Sequence, residues 1–136
     1  MGVVPSVRNS PRRFKKTLLV CSESWDAVEK CLSRAGCAVT KVRDGDRAIN
    51  KIRRKIFDTA VVVSTGKKMD LAETVFNLRD IRSSMEIVIV TDRADASESV
   101  IGKIAATVPK TITLTLHGLE VLLGALSKEV EGKAEP

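Results

Sequence analysis

The chain has 136 residues, a formal net charge of +6, 43% hydrophobic residues and 29% charged ones. That length suits one domain with one sizeable core and excludes two such cores, and the composition excludes disordered and fibrous classes. No apolar run approaches the ~20 residues that span a bilayer. Arg12, Arg13, Lys15 and Lys16 interrupt the N-terminus before a signal segment can form, so a cytoplasmic location is expected.

The charge is unevenly placed. Residues 1–22 hold Arg8, Arg12, Arg13, Lys15 and Lys16 with no acid, and the remainder is nearly neutral, with 18 basic against 17 acidic residues. Such a basic lead could touch nucleic acid through sequence-independent attraction. Cys21, Cys31 and Cys37 form neither a CxxC pair nor a Cys/His cluster, and an odd count argues against a disulfide framework. Reduced thiols are expected; Cys21, between a strand and a helix, is the one a helix dipole could activate.

In chain order, Thr17 to Val20 is a short apolar strand. Ser22 or Ser24 can cap a following helix, whose Val28, Cys31, Leu32 and Ala35 recur at spacings of three and four. Gly36 stops that helix. Cys37 to Val42 reads as a second strand, and Asp44-Gly45 as a turn into a helix with Ala48, Ile49, Ile52 and Ile56 inward. Lys51, Arg53, Arg54 and Lys55 form the wet side of that helix.

Thr59 to Val63 is a continuous β-branched run of the kind buried on both faces of a parallel sheet. A Ser64-Thr65-Gly66 loop follows, and Asp70 can cap a helix carrying Leu71, Val75 and Leu78 inward. Ile87 to Val90 is a fourth strand. A helix from about Ser97 to Ala106 presents Val100, Ile101 and Ile104, Pro109 breaks it, and Thr111 to Leu116 is the fifth strand. Gly118 opens a last helix with Leu119, Leu122, Leu123 and Leu126 inward. Five strands alternating with five helices predict an open, doubly wound parallel sheet in the flavodoxin-like order 2-1-3-4-5. The expected domain covers residues 16–128, with a basic tail at 1–15 and a polar tail at 129–136.

The stretch Gly36 to Ile52, GCAVTKVRDGDRAINKI, resembles the second strand and helix of bacterial response-regulator receiver domains, the CheY-like family. FDTAVVV, Met69-Asp70, IVIVT at Ile87 to Thr91 and GLEVLLGAL at Gly118 to Leu126 extend the resemblance from Lys16 to about Lys128. The family's chemistry is aspartyl phosphorylation assisted by Mg²⁺. The resemblance places its acceptor aspartate on Val63, beside Ser64, and its metal-binding acidic pair on Cys21, Ser22 and Glu23, of which only Glu23 is acidic. The family's fifth-strand lysine falls near Thr113 to Thr115, its switch hydroxyl is kept as Thr91, and its aromatic switch has no counterpart in a chain without Tyr.

A valine neither attacks a phosphoryl donor nor binds a cation, and hydroxyls and a thiol offer Mg²⁺ few anionic oxygens. The resemblance therefore implies a degenerate pseudo-receiver: no enzyme, no cofactor, no resident metal, and a degenerate pocket of Cys21, Ser22, Glu23, Val63, Ser64, Thr91 and Thr115. It implies binding of a signalling partner through the fourth and fifth helices and the strand between them. The residues there are Val100, Lys103, Thr111, Thr113, His117 and Glu120, and a homodimer stays open.

Other readings compete. Ser64-Thr65-Gly66-Lys67-Lys68 could cradle an anion but lacks the spacing of a phosphate-binding loop. His117, the sole histidine, flanks the last helix without a nucleophile close in sequence. Trp25 is either a partner anchor or a lid over the pocket. Ser64 or Glu23 could support an unconventional phosphorylation or ligand switch, and the basic tail with the Lys51 to Lys55 helix could bind nucleic acid.

Overall fold

The computed structural model describes residues 14–22, 26–64, 71–91 and 100–134, with backbone alone at 100–102 and 127–134. The described residues form strands β1 (Lys16–Val20), β2 (Ala38–Val42), β3 (Thr59–Val63), β4 (Glu86–Val90) and β5 (Thr111–Leu114). They alternate with helices α1 (Asp26–Arg34), α2 (Gly45–Arg54), α3 (Leu71–Ile81), α4 (Val100–Thr107) and α5 (Leu116–Ala134). All strand pairs are parallel, in the order β2-β1-β3-β4-β5. None of the described helices is long and apolar enough to cross a membrane.

Hydrophobicity decides which strand lies where. All five residues of β3 are buried, as a central strand with helices on both faces requires. β2, at one edge, buries only Val42 fully. On one face Leu18, Val20, Ala60, Val62, Ile87 and Ile89 pack with Ala48 and Ile52 of α2, Val75 and Leu78 of α3 and Ile104 of α4. On the other, Leu19, Val61, Val63, Val88 and Val90 pack with Val28 and Leu32 of α1 and Leu119 and Leu123 of α5.

Local chemistry sets the helix ends. The Asp44 carboxylate caps α2, accepting from the Arg47 amide at 2.8 Å and pairing with its guanidinium at 2.8 Å. Asp44-Gly45 thus starts a helix directly. Gly45 is required by proximity: a Cβ there would stand 2.5 Å from Thr74 Oγ1 on α3. After α1, Gly36 adopts φ +85° while the Cys37 amide returns to the Leu32 carbonyl at 3.1 Å.

Several expectations are corrected. Ile56 is 73% exposed, because α2 ends at Arg54 and the extended Lys55 turns the chain so that Phe57 enters the core instead. Ala35 is exposed beyond the end of α1, and Cys31 is half-buried. Phe14, assigned to the tail, is 2% exposed and packs with Leu19, Leu32 and Val61; its amide donates to Thr59 Oγ1 at 3.1 Å. Helix α5 runs to Ala134, past Lys128, since Lys, Glu and Ala favour helix even where the pattern is polar. It also starts at Leu116, so β5 stops at Leu114. Residues 1–13, including Arg8, Arg12 and Arg13, lie outside the described residues, as do Trp25, the loop from Thr65 to Lys68 and the proposed Asp70 cap.

Candidate functional site

In a parallel sheet every strand ends on the same side, and the chain leaves β1 towards β2 but returns to β3 on the other flank of β1. That reversal opens the crevice where open α/β sheets hold ligands. Val20 is in register with Val62, Val63 with Val90, and Val90 with Leu114. Cys21, Val63, Ser64, Thr91 and Thr115 therefore gather along one rim. Backbone bonds fix them there: Cys21 N to Val42 O at 3.0 Å, Ser64 N to Val90 O at 2.9 Å and Thr91 N to Leu114 O at 2.9 Å.

Among the described residues the rim is poor in anionic oxygen. Val63 is 1% exposed and belongs to the apolar cluster with Cys21, Val61, Val90 and Leu119. Ser64 Oγ donates to the Val90 carbonyl at 3.2 Å. Ser22 Oγ is buried with no hydrogen-bond partner among the described residues. Thr91 is buried at the end of β4. Thr115 caps α5, accepting at Oγ1 from the Gly118 amide at 3.1 Å while its carbonyl accepts from Leu119 N at 2.9 Å. Glu23 lies outside the described residues.

Mg²⁺ requires near-octahedral oxygen donors anchored by carboxylates. The described part of the rim, with its hydroxyls, one thiol and a buried valine, does not fit it, and no group of three His, Cys, Asp or Glu among the described residues could hold a metal ion.

Of the six residues expected to face a partner, Lys103, His117 and Glu120 are exposed and Thr113 is half-buried. Thr113 Oγ1 is buried with no partner among the described residues. Thr111 is 7% exposed and donates its hydroxyl to the Pro109 carbonyl at 3.1 Å, in the α4–β5 turn. The Val100 side chain lies outside the described set. Two apolar side chains that periodicity did not single out are exposed in this region: Ile112 on β5 and Val121 on α5, at 41% and 58%.

Between α1 and α5 lies a hollow of about 560 Å³, lined in part by Lys30, Cys31, Arg34, Leu116 and Glu120. Partial burial, reinforced by Glu120, raises the Cys31 pKa. Burial raises Cys37 to about 11. Neither thiol is a ready nucleophile at neutral pH.

The chain matches no protein-family model and no curated relative by sequence. Solved structures place its fold. The chemotaxis response regulator CheY4 of Vibrio cholerae superposes with a TM-score of 0.67 at 20% identity, covering 83% of this chain and 98% of that one. A CheY-like receiver domain protein from Methanospirillum hungatei gives 0.67 at 17% identity, covering 88% and 98%. A Burkholderia pseudomallei response regulator, solved with a phosphorylated aspartic acid and a calcium ion, gives 0.67 at 20% identity over 89% and 73%. The fold is that of the CheY-like response-regulator receiver domains.

Proposed function

We propose that this chain is a receiver-fold module of two-component-type signalling that engages a protein partner without aspartyl phosphorylation. The observation that carries the reading is Val63: the residue ending β3, where a receiver domain presents its acceptor carboxylate, is a hydrocarbon buried in the apolar cluster under α1 and α5. The donor set around it does not suit the Mg²⁺ that phosphoryl transfer needs. Without that equilibrium, switching requires a partner with different affinity for two states. The candidate partner surface joins Lys103 of α4, Ile112 of β5 and His117, Glu120 and Val121 of α5, which combine exposed apolar and charged groups.

The test is an amide NMR titration with Mg²⁺ and then beryllofluoride, following Val63, Ser64, Thr91 and β5. The expected result is no site-specific shift at millimolar Mg²⁺. Saturable shifts running from Ser64 into α4 and α5 would replace this reading with a working phosphorylation switch.

A further inference from the structure

At the β2 edge, away from the rim of Val63 and Ser64, a hollow of about 400 Å³ is lined by Lys41, Arg43, Arg47, Asn50, Lys51 and Arg54, with Val42 its one apolar wall. We propose that this hollow binds the phosphate backbone of nucleic acid. Beyond residue 22 the chain is nearly neutral, so five cations in one hollow are a local concentration and do not reflect a uniformly basic surface.

The helix dipole accounts for part of the pattern, since Lys51 and Arg54 lie in the last turn of α2, where cations are favoured. It does not account for Lys41 and Arg43, which a different element delivers to the same hollow. Nor are all five charges neutralised: Lys41 pairs with Glu29 at 3.4 Å and Arg47 with Asp44 at 2.8 Å, but Arg43, Lys51 and Arg54 have no carboxylate partner among the described residues.

The arrangement favours a polymer over a compact anion. Arg47, Lys51 and Arg54 follow one another at i, i+4 and i+7, a stripe spanning roughly 10 Å at the ~1.5 Å rise of an α-helix. Duplex DNA carries a phosphate every ~3.4 Å along each strand, so the unpaired Lys51 and Arg54 of that stripe, joined by Arg43 from the same hollow, can each meet a phosphate. An acidic protein segment fits less well, because a peptide needs apolar anchor sites and the hollow offers Val42 alone. No aromatic side chain among the described residues lines it, so the hollow offers phosphate contacts and no base stacking, and binding is independent of sequence.

The experiment is fluorescence anisotropy of a short mixed-sequence duplex with the full chain at increasing salt. Three neutralised phosphates give an affinity falling about 40-fold between ~50 and ~200 mM salt. Arg43→Gln/Lys51→Gln/Arg54→Gln should weaken low-salt binding more than tenfold and flatten the slope. Arg8→Gln/Arg12→Gln/Arg13→Gln should leave the slope of the hollow in place. Arg54→Gln alone, at an exposed position, should lower the slope by about one phosphate, which keeps the test open if the triple variant melts early. The proposal is overturned if the duplex does not bind at low salt, if the hollow variants bind like the unaltered chain, or if a polyglutamate peptide competes as strongly as the duplex.

Discussion

Arg79 Nη2 donates to the Lys110 carbonyl at 3.2 Å, tying the end of α3 to the turn that starts β5. The other amino group, Nη1, donates to the carbonyls of Arg82, Ser83 and Met85 at 3.0, 3.0 and 2.6 Å. One half-buried guanidinium thus donates to four carbonyls, of which those of Lys110 and Arg82 also accept from the Ile87 and Met85 amides, and burial lowers its pKa. Lys110 holds φ +54° in that turn, a left-handed conformation.

Replacing Arg79 should therefore cost more than a surface charge would. Arg79→Ala is expected to lose about 2–3 kcal/mol in urea unfolding, chiefly the cost of the lost charge-assisted bonds to the Ser83 and Met85 carbonyls. Arg79→Lys should recover only part, because an ammonium cannot reproduce the planar fork. A loss below about 0.5 kcal/mol would mean water replaces the guanidinium without penalty.

Gly45→Ala should destabilise by about 1–3 kcal/mol, the usual range for overpacking. The added methyl meets Thr74 Oγ1, and Thr74 is itself buried between α2 and α3. In a Thr74→Ala background the same change should cost clearly less, since the obstructing oxygen is gone. Equal costs in both backgrounds would trace the glycine to something other than this approach.

On the proposed reading, placing a carboxylate at the end of β3 with Val63→Asp should not by itself confer phosphorylation. The new carboxylate would lie in the apolar cluster, without a cation opposite among the described residues, at a cost on the order of 3–5 kcal/mol for an uncompensated buried charge. Val63→Ala should cost about 2 kcal/mol. Thermal melts of the two variants give the comparison; an aspartate variant as stable as the parent would show that the rim is more open to water than the 1% exposure of Val63 indicates.

Cys37 gives a pH signature. Burial holds its thiol at about 11 against an ordinary 9.0, with Asp58 and Cys31 adding to the rise and the Thr17 hydroxyl opposing it. The folded state prefers the neutral thiol, so its contribution is complete below pH 9.0 and is lost as pH climbs towards about 11, where the unfolded chain ionises first. Unfolding midpoints should decline across that window in the parent and decline less in Cys37→Ala. Alkylation of Cys37 near neutral pH should be slower than that of a free thiol.

The sheet was legible in the sequence because β-branched runs such as Thr59 to Val63 and the helical spacing of Val75 and Leu78 are strong periodic signals. Phe14 was not: a single aromatic between Arg13 and Lys15 has no period, and its burial follows from the Thr59 hydroxyl, 45 positions away. Ile56 failed for the opposite reason, a period continued past the point where Lys55 leaves the helix. At the rim, Val63 and Thr91 were readable as strand ends, whereas the capping role of Thr115 depends on where α5 begins. The basic hollow was half visible, as the wet side of α2; only the fold brings Lys41 and Arg43 to it.

The two outer strands bear on how copies of the chain avoid one another. A free strand edge is a template for aggregation, and proteins blunt it with brevity and with lysine. β5 is four residues long and the turn before it is bent by Lys110, while β2 carries exposed Lys41, held towards α1 by Glu29. Strand-to-strand stacking between molecules is disfavoured at both ends of the sheet, which leaves the helical faces as the surfaces through which this chain can associate without misassembling.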